Sequence, residues 1–185
     1  MTPEKYKKIT LIGSREVPSN IAKYQKIIGK KLSSLGVQGF SGDAKGSDKN
    51  FLLHYSENLR TIIKPEKAPN LKGFYSFDSF DQNIKDKARK IVEVFCPDLS
   101  SKSVIAQKLL TRNAFQVLGL DLESPTDAVL FYAPEDKYGN VKGGTRVAVR
   151  IARAKGIPTF NMYDQKTLDK ILKIFEIRDV PNFME

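Results

Sequence analysis

Short apolar runs alternate with segments of helical periodicity along most of this chain, and that alternation limits the fold more than any other feature. Lys8 to Ile12 reads as a buried strand ending at Gly13. Pro18-Ser19-Asn20 starts a helix with Ile21, Tyr24, Ile27, Ile28, Leu32 and Leu35 at helical spacing, and Gly36 closes it. Val37 to Phe40 is a second strand, and Ser47-Asp48 cap a helix carrying Phe51, Leu52, Tyr55 and Leu59. Thr61 to Ile63 is a third strand stopped by Pro65. Residues 65–82 form a long aromatic-rich loop with Phe74, Tyr75, Phe77 and Phe80. Helices are expected over about 83–95 and 101–118, then a strand over 128–132. A helix over 145–155, a strand over 157–161 and a helix over 165–175 complete the series.

Strands alternating with helices predict an α/β, Rossmann-like three-layer domain, its mainly parallel sheet of about five strands covered by helices on both faces. The 185 residues fit a single domain, with a core over about 8–163 and a C-terminal helix and tail over 164–185. Right-handed crossovers place the loops after each strand on one edge, where such sheets bind ligands. By this reading Gly13-Ser14-Arg15, the run Ser41 to Asp48, Pro134 and Gly143-Gly144-Thr145-Arg146 all reach that edge.

Glycine at these turns lets the backbone approach a ligand with its N–H groups free. Gly143-Gly144-Thr145 precedes a helical pattern, so its amides and the Thr145 hydroxyl read as a phosphate cradle, or as a plain turn with Thr145 as N-cap. Gly42, Asp43, Lys45, Ser47 and Asp48 read as phosphate or ribose contacts, or as carboxylates stabilising a turn and a helix start. Arg15 suits bidentate capture of a phosphate, or a surface ion pair. Arg112-Asn113 lies among apolar residues, and a buried cation there needs a ligand phosphate or an internal carboxylate such as Asp127. Arg146, Arg150 and Arg153 share a helix face, of which Arg146 alone stands near the proposed pocket. The aromatic loop either stacks bases or anchors itself to the core.

One cysteine, Cys96, leaves no internal disulfide, and one histidine, His54, leaves no multi-histidine zinc site; both read as structural. No metal and no cofactor is expected. The short apolar runs predict no membrane span, and a cytoplasmic setting is expected. The net charge of +10 attracts polyanions, which makes nucleic acid a natural partner, although a merely basic surface gives the same total.

Ile12 to Arg15, Ser41 to Asp48, Thr111-Arg112-Asn113 with Val117-Leu118-Gly119, and Gly143-Gly144-Thr145 with Gly156-Ile157-Pro158 together resemble the SLOG superfamily of Rossmann-like nucleotide-binding proteins. That superfamily includes DprA-like proteins and the phosphoribohydrolases related to the plant "lonely guy" enzymes, and the likeness is to its small phage or bacterial branch. The resemblance implies a nucleotide or nucleotide-derived ligand, single-stranded nucleic acid as a further partner, and a homo-oligomer such as a dimer. It also raises a nucleoside 5′-monophosphate N-glycosidase and a binder of nucleotide second messengers in phage–host defence as alternatives. The phosphoribohydrolases carry a glutamate three residues after the turn threonine, where this chain has Ala148. Glycosidic cleavage therefore does not follow from the resemblance, and Glu135 or Asp136 would have to supply an acid.

Overall fold

In a computed structural model, described here over residues 3–178, six parallel strands form one sheet in the order β4-β3-β2-β1-β5-β6. The strands are β1 (Lys8–Gly13), β2 (Gln38–Ser41), β3 (Arg60–Lys64), β4 (Phe74–Ser76), β5 (Ala128–Tyr132) and β6 (Thr159–Asn161). The helices are α1 (Ser19–Ser34), α2 (Ser47–Leu52), α3 (Gln82–Phe95), α4 (Val104–Leu118), α5 (Thr145–Ala154) and α6 (Gln165–Ile174). Side chains of β1 and β5 alternate between two apolar layers, as a strand period of two requires. Ile12, Val129 and Phe131 pack with α3, α4 and α5, whereas Ile9, Leu11, Ala128 and Leu130 pack with α1, α2 and α6. The helices thus cover both faces.

The sixth strand, β4, lies inside the aromatic stretch expected as a loop. It is three residues long on the sheet edge, with Tyr75 exposed, so it lacks the buried alternation that marks a strand in sequence. Phe80 stacks on Phe115 at 4.5 Å between ring centroids, and Phe77 meets Phe115 edge-on at 6.1 Å. Those rings anchor the segment to α4. The helix foreseen over Ser47 to Leu59 stops at Leu52, and Leu59 closes a 3-10 turn instead. Ser103, not Ser101, starts α4 by accepting from the Ala106 amide.

From β1 the chain adds β2, β3 and β4 on one side, then crosses back to place β5 and β6 on the other. The strand order therefore reverses between β1 and β5, and loops leaving these neighbours diverge to opposite faces. A crevice at the C-terminal ends of the strands results.

Candidate functional site

The loop after β1 and the C-terminal end of β5 are joined by a hydrogen bond from the Ser14 amide to the Tyr132 carbonyl, 2.8 Å. The start of α2 closes onto the same place, with the Ser47 amide donating to the Ser14 carbonyl at 3.0 Å. This junction needs small residues. A Cβ on Gly13 would stand 2.5 Å from Ser47 Oγ, and one on Gly46, whose φ is +90°, would stand 2.4 Å from the carbonyl oxygens of Ser14 and Arg15. The first glycine-rich pair of loops is thus filled by protein.

The turn before α5 is different. Gly143 has φ +76° and Gly144 is the N-cap residue of α5, yet a Cβ on either would meet nothing within 4 Å. Both are exposed and face a cleft of about 430 Å³. Asn113 of α4 steadies the turn by donating from Nδ2 to the Gly144 carbonyl at 3.1 Å. Thr145 is the first residue of α5 rather than its cap. An open turn at a helix start presents unpaired amides and the positive end of the helix dipole.

α4 forms the wall between the two loop systems. Arg112, 7% exposed, donates from one guanidinium nitrogen to the carbonyls of Gly42 (3.1 Å) and Ile63 (2.9 Å), while its Nε is buried without a partner. One helical turn on, Gln116 is 1% exposed and its Nε2 is likewise unpartnered. The carboxylate that answers Arg112 is Asp48, not Asp127, which accepts from the amides of Lys7 and Lys8 at 2.7 and 2.8 Å. Burial pushes the Asp48 carboxyl up, against the opposing pull of Arg112 and of the Gly42 and Ala44 amides that donate to it. Burial likewise pulls the Arg112 guanidinium down from its ordinary value, and Asp48 opposes that shift.

The cleft gathers Gly13, Ser14, Arg15, Asp48, Arg112, Asn113, Gly143, Gly144 and Thr145 around one space. The other singled-out residues stand outside its lining. Ser41 and Gly42 are buried behind Arg112, and Asp43, at φ +51°, pairs with Lys64 at 2.9 Å. Ser47 accepts from Gln25 Nε2 at 2.9 Å, whereas Lys45 and Pro134 are exposed. Arg146 lies on the side of α5 where its charge acts on Cys96 and Lys102. Gln116, Lys142 and the apolar Ala106, Leu109 and Leu110 line the cleft without having been singled out in the sequence. The one signal for Gln116 was a polar residue interrupting Phe115 and Val117, four positions after Arg112.

Among the described residues, no group of three or more His, Cys, Asp or Glu side chains comes together to hold a metal ion. Among them too, no helix is long and apolar enough to cross a membrane. No family model and no curated protein matches the chain. Among solved structures, the chain is similar to DNA processing protein A from Helicobacter pylori, described for its mode of binding single-stranded DNA. The identity is 14% and the TM-score 0.38, over 92% of this chain and 82% of that one.

Proposed function

We propose that this protein binds a nucleotide in the cleft between β1 and β5, with the phosphate seated on the Gly143-Gly144-Thr145 turn. The observation that carries this reading is a space of nucleotide size with an open helix-start turn at its rim, where the Cβ positions of both glycines are empty. Lys142 beside the turn and the exposed Arg15 across from it add positive charge at the mouth. Ile12, Ala106, Leu109 and Leu110 give the sugar and base an apolar wall. Asp48, the carboxylate among the described lining residues, is buried and accepts from the Gly42 and Ala44 amides.

Calorimetry tests the reading with nucleoside 5′-monophosphates, the parent nucleosides and short single-stranded oligonucleotides. Saturable binding of a monophosphate, weakened roughly tenfold or more when the phosphate is removed, supports it. Gly144→Asp places a negative charge at the turn and should abolish that binding while the chain stays folded. Equal affinity for nucleoside and nucleotide, or unchanged affinity in Gly144→Asp, would overturn it. Oligonucleotide binding that weakens steeply with salt, and is lost in the same variant, would place an internal phosphodiester on the turn instead.

A further inference from the structure

Asn113 of α4 stands at the open turn, and the two ends of its carboxamide have different fates. Nδ2 donates to the Gly144 carbonyl at 3.1 Å. A carbonyl oxygen can only accept, so this bond decides which way round the amide sits, with Nδ2 on the turn and Oδ1 turned from it. Among the described residues no donor reaches Oδ1, and Oδ1 is not one of the side-chain atoms closed off from solvent without a partner. Asn113 is 8% exposed, and the surface it keeps opens on the cleft, which it lines beside Gly143 and Gly144. The cleft therefore holds a fixed, free acceptor next to the turn.

Its surroundings are of the other kind. The α5 start, the Thr145 hydroxyl and the cations Lys142 and Arg15 all favour an anion. Asn113 Oδ1 repels phosphate oxygens, so the ligand atom that meets it must carry a hydrogen. That hydrogen also has to sit close to the phosphate, because the same carboxamide that presents Oδ1 is bonded to the turn. In a nucleoside 5′-phosphate the sugar hydroxyls meet both conditions: the ribose is one methylene from the phosphate, whereas the amino groups of a base lie beyond the sugar. We infer that Asn113 Oδ1 accepts a hydrogen bond from a sugar hydroxyl, so that the cleft selects nucleotides whose ribose carries a free hydroxyl. Asn113 is then a specificity-determining residue that holds the phosphate turn with one end and reads the sugar with the other. This rests on the proposed nucleotide reading and adds the sugar to it.

The test is a competition series on the unaltered protein with the four common ribonucleoside 5′-monophosphates and their 2′,3′-dideoxy counterparts, repeated on Asn113→Ala. The ribonucleotides that bind should do so roughly fivefold or more tighter than their dideoxy forms. Asn113→Ala also releases the turn, so every affinity should fall, but the ratio between the two forms should collapse toward one. A residue that only braced the turn would leave that ratio unchanged. The 2′-deoxy and 3′-deoxy monophosphates then identify the donor: loss with the first marks discrimination of ribose from deoxyribose, and loss with the second marks a requirement for a free 3′ end. On the unaltered protein, the side-chain amide resonance of Asn113 should shift differently with the ribo and dideoxy forms, a readout that stands even if Asn113→Ala does not fold. Equal affinity for the two forms, an unchanged ratio in Asn113→Ala, or identical shifts of that resonance overturns the sugar assignment and leaves phosphate binding at the turn standing. If no mononucleotide binds in a Gly144-dependent way, the phosphate reading fails, and the sugar assignment fails with it.

Discussion

The loops after β1 and β2 and the turn before α5 are all glycine-rich, and they answer to different constraints. In the first pair, Gly13, Gly42 and Gly46 are each touched by protein closer than a Cβ allows, by Ser47, by Arg112 and by the Ser14-Arg15 backbone. There glycine lets two loops and a helix start lock together. In the turn before α5, the missing side chains of Gly143 and Gly144 leave open space. Glycine that lets loops interlock and glycine in an open turn look alike in a sequence. They are told apart by what fills the vacated volume.

The largest effect expected from this contrast is at Arg112, which bolts the protein-filled loops to α4. Arg112→Leu removes the hydrogen bonds to the Gly42 and Ile63 carbonyls and leaves Asp48 buried without its counter-charge. Breaking such a pair from one side costs about 3–5 kcal/mol, so the denaturant midpoint should fall markedly or folding should fail. A change below about 1 kcal/mol would mean that Arg112 serves the cleft alone. Gly46→Ala comes next. Its φ of +90° and the 2.4 Å approach to two carbonyl oxygens combine left-handed strain with overpacking, about 2–4 kcal/mol together, read as a loss of thermal stability.

The alternation of strands and helices was legible because parallel strands buried on both faces are near-continuous apolar runs, as in Ile9 to Ile12 and Ala128 to Tyr132. β4 was not, because a three-residue edge strand with an exposed central tyrosine carries no such run. Strand order brings residues 13–15 and 143–145 to one cleft; of the run 42–48 expected beside them only Ala44 and Asp48 line it, and Pro134 and Arg146 do not. Asp127, offered beside a ligand phosphate as an example of a partner for Arg112, is not the carboxylate that answers it. Asp127 is the nearer in the chain but precedes β5 and accepts from Lys7 and Lys8 at the start of β1, whereas Asp48 opens α2 at the C-terminal ends of the strands, where Arg112 meets it. Gln116 escaped notice because its burial beside Arg112 and Gly42 follows from how α4 packs on the sheet, which a lone polar residue in an apolar stretch does not show.

A smaller effect, of opposite sign, should appear at the open turn. Gly144 has φ −65°, which any residue adopts, and its Cβ position is empty, so Gly144→Asp meets no steric obstacle. An acidic residue at a helix start stabilises by about 0.3–1 kcal/mol, so melting should hold or rise slightly while nucleotide binding disappears. A destabilisation comparable to that of Gly46→Ala would erase the distinction between the two glycine systems.

The smallest effect is in titration, and it has opposite signs on the two sides. The Asn140 amide and side chain and the Tyr138 amide hold the Asp136 carboxyl, in the loop leading to Gly143, below its ordinary 3.8. These contacts favour the ionised form, so what they contribute is complete above 3.8 and is lost as the pH falls through the depressed native value. For Asp48 burial raises the native value, so the fold binds its proton more readily than the unfolded chain does. Acidification from that raised value down to 3.8 therefore relieves a cost rather than adding one. An NMR titration should show the Asn140 amide responding with a midpoint below 3.8, and the Gly42 and Ala44 amides responding to Asp48 with a midpoint above it. The Ser14 and Ser47 amides, which donate to backbone carbonyls, should follow neither curve. A shared midpoint for Asn140 and Gly42 would mean that both carboxylates are equally solvated, and the difference in burial between the two loop systems would lose its electrostatic support.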